Sequence, residues 1–377
     1  MVRNQAVRYL RTSVLIASCI LLSCDFSCMP SHDSYFSNAH LLQAKASELG
    51  STEVCPHLEV HVDNKKNIVW CSTFQLAWNK ACELIGEDIH LYREPPMVEI
   101  LNKRTADESD LDPMSYVALA GHIRDGILAR IKEELSRKFK GAACPRSIPD
   151  GAGSRPQDIV TYCYLFKNLE FPRKFERLDK PIRFGQTKVA CFGIGEEFKS
   201  GHAQMLSQVS VLDYKDRDDF IIELKTKSAI DQVILAKVSP NGTLETLIGH
   251  VLKRISNGKP CDMQYGDIVK IPKMNYDIHR DYAELEHRKL KIENPKIAQD
   301  FFIMSAEQSI RFQMDEEGVK LRSESHMYFG CSASYKPVPA HIMIFDKPFL
   351  VLLKNSNADV PYFAMWISNP ELLVPWK

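Results

Sequence analysis

The chain has 377 residues, 45% hydrophobic and 25% charged, proportions that exclude a disordered or collagen-like protein and leave ample apolar surface for a core. Lys plus Arg and Asp plus Glu each number 48, for a formal net charge of zero. No long block of one sign interrupts this balance, so neither a nucleic-acid footprint nor a polybasic membrane patch is expected.

The first residues read as an export signal. Arg3, Arg8 and Arg11 precede a short apolar run from Ser13 to Leu22, and Ser23-Cys24 follows, the three-part layout of a secretory leader. The run falls well short of the ~20 residues that span a bilayer. Leu21-Leu22-Ser23-Cys24 has the pattern of a bacterial lipobox, with Ile16-Ala17-Ser18-Cys19 as a weaker second. A signal peptide over residues 1–23 and lipidation of Cys24 are therefore expected, with plain cleavage near Met29 or an uncleaved anchor as the alternatives. Losing residues 1–23 removes three Arg and no acid, which leaves 45 basic against 48 acidic residues. The expected location is the cell envelope, through a lipid anchor, or the extracellular space.

The 11 cysteines form no CxxC pair and no Cys/His array at zinc-site intervals, so no metal is expected. Cys71, Cys163 and Cys191 lie in apolar runs and read as small buried hydrophobes. Cys28, Cys55, Cys144, Cys261 and Cys331 lie in polar or turn-rich stretches and are candidates for disulfides in an exported protein.

Residues 24–66 form a poorly defined N-terminal segment, with a short helix expected at Leu41 to Leu49 and a strand at His57 to Val62. The run NIVWC from Asn67 is strand-like. Ser72-Thr73 then caps a helix whose Phe74, Leu76, Ala77, Ala81, Leu84 and Ile85 keep helical spacing up to Gly86. Ile123, Ile127, Ile131, Leu135 and Phe139 repeat every four residues and predict an amphipathic helix from about Met114 to Lys140. A breaker-rich loop, Gly141 to Pro156, leads to Asp158–Phe166, a nearly continuous apolar strand expected to be covered on both faces. Strand patterns dominate thereafter: KVACFGI, AQMLSQVSVLDY, DDFIIELK, DQVILAKVS, DIVKIPKM, SIRFQM, AHIMIF, FLVLLK and YFAMWIS. One helix lies between the turn signals Asn241-Gly242 and Asn257-Gly258. The class is α+β, and residues 67–377 are expected to form one large domain.

Catalytic signatures are missing. The chain has no G-x-S-x-G elbow, P-loop, HExxH or dinucleotide-binding glycine set, so it is not expected to be an enzyme or to carry a cofactor. Gly193-Ile194-Gly195-Glu196 reads as a turn. His279 and His287 flank the acidic stretch DYAELE at a spacing that fits no common metal site, and Asp315-Glu316-Glu317 reads as an exposed strand end or turn.

The C-terminal third carries a family likeness. SIRFQMDEEGVKL, a long loop, IFDKPFLVLLKNSNADVPYFAMWISNP and its final Asn-Pro resemble, in order, the corresponding parts of serpins, a superfamily of protease inhibitors. NIVWCSTFQLAWNKACELIG, TYCYLFKNLEFPRKF and DQVILAKVSPNGTLETLIGHVLKRI with DIVKIPKMNYDIHRDYAEL are similar to three further serpin segments. The likeness covers most of residues 67–370. It departs at Tyr162, Asn168 and Phe171, where the family usually has Asn, Gly and Trp, and the stretch between the first helix and Asp158 is shorter than usual. The resemblance implies a large mixed β-sheet with helices packed on it and smaller C-terminal sheets. It also implies a protease as partner, and a reactive loop hinged at Glu316, Glu317, Gly318 and Val319.

After Gly318, Val319, Leu321, Ser323 and Ser325 alternate with Lys320, Arg322 and Glu324, so an inserted strand would be apolar or small on one face and charged on the other. Counting as in the family puts the scissile bond near Ser332-Ala333 or near Lys336-Pro337, with Tyr335 and Lys336 the side chains most attractive to a protease. Two functions stay open: an exported inhibitor that traps a serine or cysteine protease through this loop, and a non-inhibitory binding or envelope protein on the same fold.

Overall fold

A computed structural model of the chain describes residues 36–37, 39–139, 155–196, 202–295, 301–319 and 341–377. The expected signal peptide, Cys24 and the scissile candidates Ser332, Ala333, Tyr335 and Lys336 lie outside these described residues. So do Cys28, Cys144 and Cys331 among the disulfide candidates. Cys55 is buried and Cys261 exposed, both as free thiols.

The N-terminal segment opens with Leu42–Lys45 (β1) and Thr52–Cys55 (β2), separated by a single 3-10 turn, Ala46–Glu48. Most of the helix expected at Leu41 to Leu49 is thus extended chain, because β1 finds a parallel partner at Tyr276 to His279 and so short a helix has little stability of its own. The stretch His57 to Val62, expected as a strand, is irregular and lies along residues 242–245, with a bridge from His61 to Thr243 and backbone hydrogen bonds joining Leu58, Val60 and Val62 to Glu245, Leu244 and Gly242. Asn67–Cys71 (β3) feeds Thr73–Ile85 (α1), which Gly86 ends in the left-handed conformation at φ 82. A short helix, Pro96–Asn102 (α2), follows.

The single helix expected from Met114 to Lys140 is two elements. Tyr116–His122 (β4) is a strand, Ile127–Phe139 (α3) is the helix, and Gly126 turns between them at φ 73. Pairing decides the split: β4 lies antiparallel to Ile159–Leu165 (β5) from Tyr116↔Leu165 to His122↔Ile159. Ile127, Ile131, Leu135 and Phe139 then pack α3 onto Val117, Val160, Tyr162 and Tyr164, one face of this hairpin. Ala118, Cys163 and Leu165 on the other face meet the main core.

Cys191–Ile194 (β6) contains Gly193, the first glycine of the pair expected to be a turn, and Gly195 lies just past its end. It is a strand because Gly193 sits at φ 140 where a Cβ would lie 2.1 Å from the Val269 carbonyl oxygen, an approach of two backbones that only glycine permits. His202–Leu206 (α4) takes the start of the stretch expected to be wholly strand, leaving Val209–Asp216 (β7). Asp219–Leu224 (β8), Asp231–Lys237 (β9), Leu244–Asn257 (α5), Ile268–Pro272 (β10), Met274–Asp281 (β11) and Glu307–Met314 (β12) follow the expected patterns. Ile342–Ile344 (β13), Phe349–Asn355 (β14) and Phe363–Ile367 (β15) complete the chain's strands.

The largest sheet has eight strands in the order Cys261–Asp262, β7, β8, β9, β14, β15, β3, β2. It is mixed, since β2 and β3 run parallel while its other pairs are antiparallel. Smaller sheets join β1, β11 and β12, and β13, β10, β6 and Glu176–Arg177. The architecture is the predicted α+β class: a large mixed sheet, helices on it and smaller sheets beside it.

The runs FLVLLK and YFAMWIS lack alternation because both faces of the large sheet are covered. Val351, Leu353, Phe363 and Met365 face a core shared with β11 and β12, where Phe312 stacks on Phe363 with ring centroids 4.9 Å apart. Leu350, Leu352, Ala364 and Trp366 face the opposite core under α5.

Asn67, fully buried, ties the two ends of the chain. Its carboxamide donates to Thr52 Oγ1 and Asn369 Oδ1 and accepts from the backbone N–H groups of Ser368 and Asn369. Replacing it by Leu strands two buried N–H donors. Asn67→Leu is expected to destabilise the fold by about 3 kcal/mol, read as a lower urea midpoint with an unchanged slope.

Candidate functional site

β5 and β12 run in the same sense between two shared clusters. Ile159 at the start of β5 and Ala306 just before β12 both pack on the cluster around α1. Beyond their far ends, Leu169 and Val319 meet in the main core. Among the described residues no ladder joins the two strands. β5 pairs with β4 and β12 pairs with β11, and the continuations of the two are bridged by Gly318–Val319 on Leu169–Glu170.

That bridge is a reversal of the chain. After Met314, the Asp315 and Gly318 backbones exchange hydrogen bonds of 3.3 and 3.4 Å, so Glu316 and Glu317 form the corner of a tight turn. Gly318–Val319 then heads back antiparallel to Leu169–Glu170, the continuation of β5. Gly318 has φ 144, and a Cβ there would stand 2.7 Å from the Leu169 carbonyl oxygen, so the glycine of the acid-acid-Gly sequence is a steric requirement of this reversal. Val319 is buried.

Side chains and backbone hold the turn. Asp315 accepts from the Glu317 N–H at 2.9 Å and from Gln313 Nε2 at 2.6 Å. Glu316 pairs with Lys273, both side chains largely buried, and its carbonyl accepts from the Phe175 N–H at 2.8 Å. The Glu317 carbonyl accepts from the Phe171 N–H at 3.2 Å. Its carboxylate meets Lys174 at 2.9 Å and holds that ammonium's pKa above its ordinary value. Phe171 packs edge-on to Phe175 at 4.9 Å.

The head of β5 is fixed as firmly. Lys167 Nζ lies 2.8 Å from Asp231 Oδ1 in a pair with side chains 9% and 6% exposed, and Tyr362 and Ser228 donate hydroxyl bonds to the same carboxylate. Between Lys167 and Leu169, the buried Asn168 Oδ1 has no hydrogen-bond partner among the described residues.

The chain returns at His341 to a second anchor. Buried Asp267 accepts from the His341 N–H at 2.9 Å and contacts His341 Nδ1 at 2.8 Å, while Tyr214 meets the imidazole edge-on at 4.7 Å. At the end of β13, buried Lys237 donates to the Ile344 and Arg217 carbonyls and to Asp346 and Asp218. The hydrogen bond from Lys237, then that from Lys347, push the Asp218 carboxyl down to about 2. Residues 320–340 are thus bracketed by two built anchors.

The structure places Glu316 and Glu317 at the corner of one tight turn and Gly318 and Val319 on its returning arm. Sequence reasoning missed Lys273, Phe175 and Leu169–Glu170, which contact it from 43 to 150 residues away, and the His341–Asp267 pair at the return. The turn-like DEEG signal and the family resemblance pointed to the turn, and neither pointed to these partners. His287 is no part of it, its backbone N–H being spent on the Ile303 carbonyl.

No family model matches the chain, and no curated protein matches it. Among solved structures the chain is similar to Serpin48, a highly specific serpin of the insect Tenebrio molitor, at 11% identity and a TM-score of 0.44, over 80% of this chain and 92% of that one.

Gly318→Ala is expected to force the turn away from Leu169 at a cost of about 2 kcal/mol. Faster hydrogen exchange of the Phe171 and Phe175 amides would report it. Asp218, whose folded pKa lies below its unfolded value of 3.8, stabilises the fold above about pH 4, and this contribution is lost as pH falls toward about 2. The difference in thermal midpoint between the wild type and Asp218→Asn should be full at pH 6 and shrink across that window.

Proposed function

We propose that this chain is a serpin-type protease inhibitor. In this reading, cleavage within residues 320–340 lets the segment after Val319 enter as a strand between β5 and β12. The supporting observation is the hinge itself: Gly318–Val319 already runs antiparallel on Leu169–Glu170, with Val319 buried, as the first residues of such a strand would. Period two then puts Leu321, Ser323 and Ser325 on the core side with Val319, and Lys320, Arg322 and Glu324 on the outer side.

The mechanism is one of trapping. A serine or cysteine protease attacks near Ser332-Ala333 or Lys336-Pro337 and forms an acyl-enzyme. Insertion of the freed segment between the fixed head of β5 and β12 then carries the attached protease away from the loop before water completes hydrolysis. The protein acts outside the cytoplasm, exported by residues 1–23 and anchored through lipidated Cys24 or released.

A second reading has its own support. The outer face beside β5 is lined by Tyr162 and Tyr164 under α3, so Arg322 and Glu324 would have to be placed next to an apolar layer, which penalises insertion. In that case the protein is a binding or envelope component that keeps the loop exposed.

One experiment separates them. The mature protein is nicked by a protease in residues 320–340, the fragments are kept together, and the thermal midpoint is compared before and after. Insertion predicts a rise on the order of 10 °C or more, because several kcal/mol are needed for each few degrees in a chain this large, together with an SDS-stable adduct with a cognate serine or cysteine protease. No rise and no adduct across a panel of both classes would leave the second reading.

A further inference from the structure

The ladder between β11 and β12 carries a polar face away from the core. Asn275 stands opposite Gln313, Asp277 opposite Arg311, His279 opposite Ser309 and Asp281 opposite Glu307. The last pair is anomalous. Two carboxylates directly across a ladder repel one another, and among the described residues no Lys or Arg lies within ion-pair distance of either. Their neighbour is an imidazole: His279 Nε2 is 2.8 Å from Asp281 Oδ1 and 3.9 Å from Glu307 Oε2. Its other nitrogen, Nδ1, is 2.9 Å from Ser309 Oγ.

We propose that His279, Asp281 and Glu307 bind a divalent first-row transition cation of the zinc class across β11 and β12. One ligand atom from each already lies within 4.8 Å of the others. Zinc holds nitrogen and carboxylate oxygen at roughly 2.0–2.2 Å, which sets tetrahedral ligands about 3.3 Å apart. The observed 2.8 and 3.9 Å separations bracket that spacing, so small side-chain rotations suffice. With its proton on Nδ1 and donated to Ser309, the imidazole presents the Nε2 lone pair to the cation, the orientation that a hydrogen-bonded second nitrogen imposes on metal-binding histidines. The cation cancels the repulsion between Asp281 and Glu307 and leaves a fourth position for water. One imidazole with two carboxylates favours zinc over magnesium, which prefers oxygen alone. Bound there, it staples the end of the ladder remote from the hinge.

The test uses the mature chain stripped by a chelator, titrated with zinc chloride by calorimetry and followed by thermal midpoint. One zinc per chain is expected, with a rise of about 3–5 °C at a hundredfold excess over Kd. Glu307→Gln should lose that rise, yet have a metal-free midpoint at or above the wild type's, because it removes the opposed charge. A misfolded variant would not show those two signs together. His279→Ala should weaken zinc at least tenfold. Absence of zinc binding by the wild type overturns the assignment. So does an unchanged zinc response in both variants, which would put the ion on exposed Cys261 or another histidine, or an equal response to magnesium. No protease enters the test, so its outcome is independent of the proposed function.

Discussion

The structure depends on the burial of its last two strands. β14 and β15 stand in the middle of the eight-stranded sheet, between β9 and β3, and each presents apolar side chains to a different core on either face. Neither core closes until residues near the C-terminus have paired with β3, some 300 positions earlier, as in Met365↔Val69. Such non-local pairing pays its loop-closure entropy before any contact rewards it. The Asn67–Asn369 hydrogen bonds then lock the first and last strands of that arrangement together.

This closure governs what the region around the hinge can do. Because β14 is held in the sheet and β13 is held on β10, the chain returning at His341 has a fixed point. Because β12 is held on β11 and the turn at Glu316–Glu317 is tied to Lys273, Phe171 and Phe175, the departing chain has another. The strain-sensitive element is small: one glycine at positive φ pressed against the Leu169 backbone, flanked by two acids each engaged by a lysine. Below it, Ile159 of β5 and Ala306 just before β12 both pack on the cluster around α1. A chain reversal at Gly318 held between two fixed points is what supports the proposed inhibitory reading, whereas the tyrosines under α3 are its main opposing feature.

Errors in reading elements from the sequence share one cause. Tyr116–His122 was legible as helix because its apolar residues continue the four-residue rhythm of α3, and only the β5 ladder makes it a strand. Gly193 was legible as a turn because glycine is permissive. It is a strand residue because β10 approaches too closely for a Cβ. The helix at Leu41–Leu49 gave way to a parallel partner more than 230 residues downstream. Each case is a local preference overridden by pairing with a distant segment.

The sequence by itself determined the α+β class, the end of α1 at Gly86, the span of α5 between its two turn signals, the apolar C-terminal hairpin and the acid-acid-Gly punctuation before the loop, because periodicity, turn chemistry and uninterrupted hydrophobic runs are local properties; the expected Ser72-Thr73 cap of α1 makes no side-chain capping hydrogen bond. Only the tertiary structure decided that Glu316 meets Lys273, that Gly318 abuts Leu169, that β5 and β12 share no ladder, and that Glu307 faces Asp281 beside His279. Those are statements about which edges and faces come together, and the spacing of residues along a chain does not contain them.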